Sequence, residues 1–164
     1  MQPKKAPEPF SVVDSLVAAF AANNRIDEYL IRAVPDAAWH AAPPGGKGRT
    51  IASLAAHIHN VRLMWLKSAA KDAPLPAKLE GESCSKEDAI RALDESWRAL
   101  ETVLRASLSS GGAIRGFKPD AASFLAYLLA HDAHHRGQIT MLARQLGHPV
   151  SQSVGYGLWE WGTR

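Results

Sequence analysis

Cysteine is almost missing from this chain, with one residue, Cys84, in 164. That excludes an intrachain disulfide and a cysteine zinc cage. Long apolar runs are missing as well. Val12 to Ala22 is broken by Asp14 and Ser15, and Phe124 to Ala130 is cut by His131 and Asp132. Both fall far below the roughly 20 residues a membrane span requires. The opening segment, MQPKKAPEP, is polar and rich in proline with no apolar core behind it, unlike a signal peptide. A soluble, cytoplasmic protein with no membrane partner is the expectation. Neither sign of charge dominates: 19 Lys and Arg stand against 16 Asp and Glu, a net +3 too small and scattered to indicate a nucleic-acid partner. No repeat and no convincing strand alternation is present. What remains is an ordinary globular composition sized for one domain, with residues 1–10 as a flexible tail and 11–164 as the folded unit.

Helical periodicity marks four segments. The first spans Ser11 to Val34, opened by Ser11 with Asp14 and stopped by Pro35. Its stripe is mostly apolar but includes Asn24. The second spans Thr50 to about Lys71, with Thr50 as N-cap and Ile51, Leu54, Ile58, Val61, Met64 and Trp65 facing inward. After a linker from Asp72 to Cys84, Ser85 with Asp88 opens the third, which ends at Ser109 to Gly112. The fourth starts near Pro119 or Asp120 and runs to Leu146, with Gly147 as a left-handed cap and Pro149 blocking continuation. Four amphipathic helices in one small domain predict an all-α four-helix bundle followed by a short irregular C-terminal segment. Leu158, Trp159 and Trp161 are expected to cap one end of the core.

The seven histidines are the unusual feature. His131 and His135, four apart in the fourth helix, project from one face, and that face is the apolar one. Two imidazoles in an apolar stripe are costly unless something satisfies their nitrogens. His57 shares the register of Leu54, Val61 and Met64 on the second helix and also faces inward. His59, about 200° further round, is expected to face solvent. Three neutral imidazoles from two helices would hold a metal with positions left open. The plainer alternative is a set of core histidines bonded to carbonyls and carboxylates. His134, at i+3 from His131, competes with His135 for the third place. His40 and His148 lie in or beside loops and are expected to be solvated.

The segments YLLAHDAHHRGQITMLARQLGHP, SLAAHIHNVRLMWL and VGYGLWEWG give the chain its likeness. It resembles the DinB/YfiT-like family, whose members are regarded as metalloenzymes, over nearly its whole length. The resemblance implies an up-down-down-up bundle, commonly a homodimer. It also implies one divalent metal, zinc or nickel before iron, manganese or copper, held at His57, His131 and His135. Related bundles include S-transferases and isomerases that use low-molecular-weight thiols. The leading expectation is therefore metal-dependent activation of a small thiol acting on a small-molecule substrate, with a thiol co-substrate. A hydrolase working through a metal-bound water is the alternative enzyme, and a non-catalytic metal-binding bundle the third reading.

Around the trio, Gln138 is a candidate to reach a ligand or substrate and Asp132 to orient a neighbouring histidine across a helix interface, with surface or inter-helix hydrogen bonding the favoured reading of both. Arg136 is a candidate for a substrate carboxylate, with a solvated arginine as the default. Gly137 inside the helix suggests close packing by a neighbour. Pro43 to Thr50 lacks the spacing of a phosphate loop and reads as a flexible loop, though Lys47 and Arg49 fall where they could border the site. Cys84, in a polar linker away from basic residues, reads as a bystander.

Overall fold

The computed structural model describes residues 9–71 and 73–163. Six α-helices and one 3-10 turn make up its regular structure. They are α1 (Val12–Ala33), α2 (Asp36–Trp39), α3 (Ile51–Ala69), α4 (Lys86–Ser109), α5 (Ala121–Gln145) and α6 (Gln152–Gly157), with the turn at Pro44–Gly46. The four long helices occupy the predicted places. Most of the expected tail, residues 1–8, lies outside the described residues.

Local chemistry sets the helix boundaries. Ser11, Thr50, Ser85 and Asp120 each accept a first-turn backbone N–H, an arrangement worth about 0.5–2 kcal/mol per cap. At Ser85 the exchange is reciprocal, since the Asp88 carboxylate accepts from the Ser85 N–H. Gly147, at φ +80°, turns the chain out of α5, and the His148 N–H closes back on the Ala143 carbonyl at 2.9 Å. The periodicity had no signal for α2, which is one turn long. It buries Trp39, whose indole donates to the Cys84 carbonyl at 2.8 Å.

Helices α1 and α3 each pack against both α4 and α5 and scarcely against each other. Two apolar clusters result. Leu30, Ile31, Ile51, Ile58, Leu93 and Ile139 belong to one, and Val17, Phe20, Leu66, Leu100, Phe124 and Leu128 to the other. Between them, at the middle of every long helix, lie buried polar residues: Asn23, Asn24, Asp27, Arg62, Ser96 and Asp132. A charged layer thus divides the core.

The inner face of α3 departs from expectation in an instructive way. Met64 is 54% exposed, while Arg62 is fully buried. Carboxylates on α1 and α5 draw the guanidinium inward and rotate the buried stripe onto Ile58, Arg62 and Leu66. His59 is likewise buried, not solvated. Its Nε2 meets the Ala77 carbonyl at 2.9 Å, and beside it Asn60 pairs with both backbone groups of Leu79. The linker is therefore laid along α3, close enough that a Cβ on Gly81 would lie 2.6 Å from the Ser53 Cα. Cys84 is buried beneath it.

Three further expectations are corrected. Trp159 and Trp161 are exposed, at 81% and 40%, and only Leu158 packs against the core; the glycines and short α6 leave the indoles outside it. No atom lies within 4 Å of a Cβ built on Gly137, so no neighbouring helix packs there. His148 is half-buried, whereas His40 is exposed as expected. Among the described residues no helix is long and apolar enough to cross a membrane.

Candidate metal centre

Because α3 turns Arg62 inward, the stripe that carries His57 and Val61 sits at the edge of the buried face, opposite α5. His57 is half-buried there. From α5, His131 and His135 project toward it, one turn apart. The ring centroids lie 5.4 Å (His57 to His131), 4.7 Å (His57 to His135) and 4.5 Å (His131 to His135) apart. One nitrogen from each ring falls within 4.8 Å of the others.

Hydrogen bonding fixes which nitrogens face inward. His131 Nδ1 lies 3.4 Å from Asp132 Oδ1, and His135 Nδ1 lies 2.7 Å from Gln138 Oε1. A carboxylate or amide oxygen only accepts, so both Nδ1 atoms carry the protons and both Nε2 atoms present lone pairs. Those two Nε2 atoms are 3.2 Å apart. Two lone pairs facing each other at that separation repel unless a cation lies between them. Nitrogens each 2.0–2.1 Å from a tetrahedral ion would be about 3.3 Å apart. The donor set therefore fits a divalent metal of the kind imidazole favours, whether zinc, nickel, iron or copper.

The surroundings favour the neutral form of His57 and His135. Burial, then the Arg49 charge and the two neighbouring rings, push His57 down to about 4. His135 is also lowered, chiefly by burial and in spite of its bond to Gln138. Neutral imidazole is the form that binds metal.

Asp132 joins this centre to the charged layer. Fully buried, it accepts from Arg62 Nη2 and Asn23 Nδ2, each at 2.8 Å. Burial works against its charge, but Arg62 and the His131 contact outweigh that and hold it below the ordinary carboxylate range. Arg62 also reaches Asp27 at 3.2 Å and Asn24 at 2.6 Å, with its guanidinium over the Phe20 ring. Arg136 donates to Asp27 and Asn23, both at 2.6 Å. It is neither a solvated arginine nor an arm toward the histidines. His134 is exposed, and its ring flanks His135 outside the trio.

The structure thus brings together His57, His131 and His135, puts Gln138 and Asp132 on the outer nitrogens of two of them, and sends Arg136 elsewhere. Sequence reasoning missed the support behind Asp132. Asn23, Asn24 and Asp27 on α1 with Arg62 on α3 interrupt apolar stripes at helical spacing, and that interruption was the available signal. Arg49 does border the site, lining a cleft of about 340 Å³ with Gln138.

Comparison with curated proteins gives no match. Among solved structures, a protein from Exiguobacterium sibiricum assigned to the DinB family is 19% identical, with 90% of this chain and 99% of that one covered and a TM-score of 0.61. That likeness speaks to the fold. Residues 10–161 match the DinB family model, and the chain belongs to the DinB family.

Proposed function

We propose that this protein is a metal-dependent enzyme that uses a divalent ion at His57, His131 and His135 to activate a low-molecular-weight thiol for S-transfer or thiol-assisted isomerisation. The observation that carries the reading is the 3.2 Å approach of two Nε2 lone pairs, with both Nδ1 atoms already bonded to Gln138 and Asp132. Rings oriented in this way on rigid helices are prepared for a ligand the protein does not itself provide. With three uncharged ligands, a bound ion would keep its full double charge and so favour anions and lower the pKa of a thiol or water. The choice of thiol over water rests on the likeness to thiol-dependent bundles.

The chain's own part is positional. Asp132 and Gln138 hold the tautomers, Arg49 disfavours imidazolium by its charge, and the half-buried His57 leaves the centre reachable by a small molecule. Elemental analysis of the purified protein, followed by reconstitution, should give one divalent ion per chain. The loaded protein should then conjugate a small electrophile such as monochlorobimane only when thiol and metal are both supplied. Cleavage of esters or amides without any thiol would replace this reading with hydrolysis. Metal binding with silence in every assay would reduce it to a binding bundle.

A further inference from the structure

Beside the histidines lies the cleft lined by Arg49, Leu54, Gln138, Met141, Leu142 and Gln145. It adjoins the centre directly. Leu54 is one turn before His57 on α3, Gln138 bonds His135, and Leu142 lies two turns beyond His135 on α5. Its walls are of two kinds, aliphatic from Leu54, Met141 and Leu142, and polar from Arg49 and the two glutamines.

Arg49 stands out among the arginines near this end. Arg62 is buried and Arg136 half-buried, and both are paired with carboxylates. Arg49 is exposed, and no described residue gives its guanidinium a hydrogen bond or ion pair. It is also close enough for its charge to act on the rings of His57 and His135. Gln138 spends its oxygen on His135, which leaves its amide N–H groups to donate. A guanidinium in a partly aliphatic cleft that runs up to the cation site at Gln138 and His135 matches a short acidic molecule.

We infer that this cleft binds a carboxylate-bearing small molecule, its carboxylate on Arg49, its aliphatic part against Leu54, Met141 and Leu142, and its reactive end at the three-histidine centre. Arg49 is then a specificity-determining residue, since a bidentate guanidinium–carboxylate pair is lost with a neutral ligand. The inference rests on the proposed metal centre and names the substrate class that the centre would serve.

The test uses cobalt(II)-loaded full-length protein and a homologous series of ω-mercapto carboxylates with their matching amides, read by the thiolate-to-cobalt charge-transfer absorption. At one chain length or more, the carboxylate should bind about tenfold or more tightly than the amide, equivalent to about 1.4 kcal/mol. That preference should fall several-fold in Arg49→Ala and survive in part in Arg49→Lys, while amide affinity and cobalt content stay unchanged. The same preference in wild type and Arg49→Ala at every chain length would overturn the role of Arg49 and leave the metal centre standing. Failure of the wild-type protein to take up cobalt would instead overturn the centre, and the inference with it.

Discussion

Two polar regions interrupt the apolar interior of this bundle, and they differ in how their groups are satisfied. In the charged layer, Arg62, Arg136, Asp27, Asp132, Asn23 and Asn24 answer one another at 2.6–3.2 Å. At the centre, a few ångströms outward through Asp132, two imidazole nitrogens face each other at 3.2 Å beside His57, and among the described residues no carbonyl or carboxylate answers either. The same contrast separates His57 from His59 on one helix, since His59 spends its Nε2 on the Ala77 carbonyl. Burial and polarity alone do not identify a site. A polar group answered by protein, as Arg62 answers Asp132, ties helices together; two inward ring nitrogens that meet only each other beside a third ring are arranged for a ligand.

Breaking the satisfied region should have the largest effect. Arg62→Met keeps an aliphatic stem over Phe20 but strands the Asp132 carboxylate without its nearest cation, in a fully buried place. A loss of about 3–5 kcal/mol is expected in urea unfolding; a loss below 1 kcal/mol would show that water reaches the layer. The centre should answer in the opposite sense. His57→Ala or His135→Ala should leave the unfolding free energy of metal-free protein within about 1 kcal/mol of wild type, because the desolvation of clustered imidazoles is relieved as their packing is lost. Both should lower metal affinity by more than the 10–100-fold that loss of an outer-shell partner costs. Competition with a chromogenic chelator measures it. His59→Ala should keep the metal and lose stability. If His59→Ala also loses the metal, the distinction between the two histidines is lost with it.

What could be read from the sequence follows the range of the interactions. The long helices were legible because caps and stops act within a turn, as at Ser11, Ser85 and Gly147. The pairing of His131 with His135 was legible because both sit on one helix four residues apart. His59 was not, because what buries it is a linker segment 18 residues further along the chain. Arg62 was missed because its counter-charges come from α1 and α5, and no periodicity on α3 records them. Trp159 and Trp161 failed in the other direction. Large aromatic residues are usually inside, but the glycines of the C-terminal segment provide no element to carry these two back over the core.

The charged layer carries a pH signature opposite in sign to that of the histidine centre, where the lowered His57 and His135 cost stability as the pH falls. Burial, reinforced by the Asp132 charge and only partly offset by Arg136 and Arg62, pushes Asp27 up to about 7 from an unfolded value of 3.8. Folded protein therefore keeps a proton that unfolded chain releases. The stabilisation from this group is full below about pH 4 and is lost as the pH rises toward 7. Asp27→Asn removes that term. Relative to Asp27→Asn, the unfolding free energy of wild type should fall with rising pH over this window, by up to about 1.4 kcal/mol per unit. Urea midpoints at half-unit intervals from pH 4.5 to 7.5 measure it. A constant gap would show that Asp27 stays ionised throughout, held by its two guanidiniums.

The smallest expected effect lies on the back of α5. Gly137 is in regular helix, and a Cβ there would meet nothing, because the residue faces a cleft bordered by Ala133, Thr140 and Trp159. With no close approach to justify it, the glycine contributes only its backbone entropy cost. Gly137→Ala should therefore stabilise the protein by about 0.5–1 kcal/mol, which raises the melting temperature by roughly 1–4 °C in a chain of this size. The substitution lies one residue from Gln138 yet points away from it, so metal affinity should not change. Should Gly137→Ala instead lower the melting temperature, and do so more at high protein concentration than at low, the cleft is filled by a second copy of the chain. The glycine would then be kept for that contact, and α5 would carry a ligand on one face and a partner on the other.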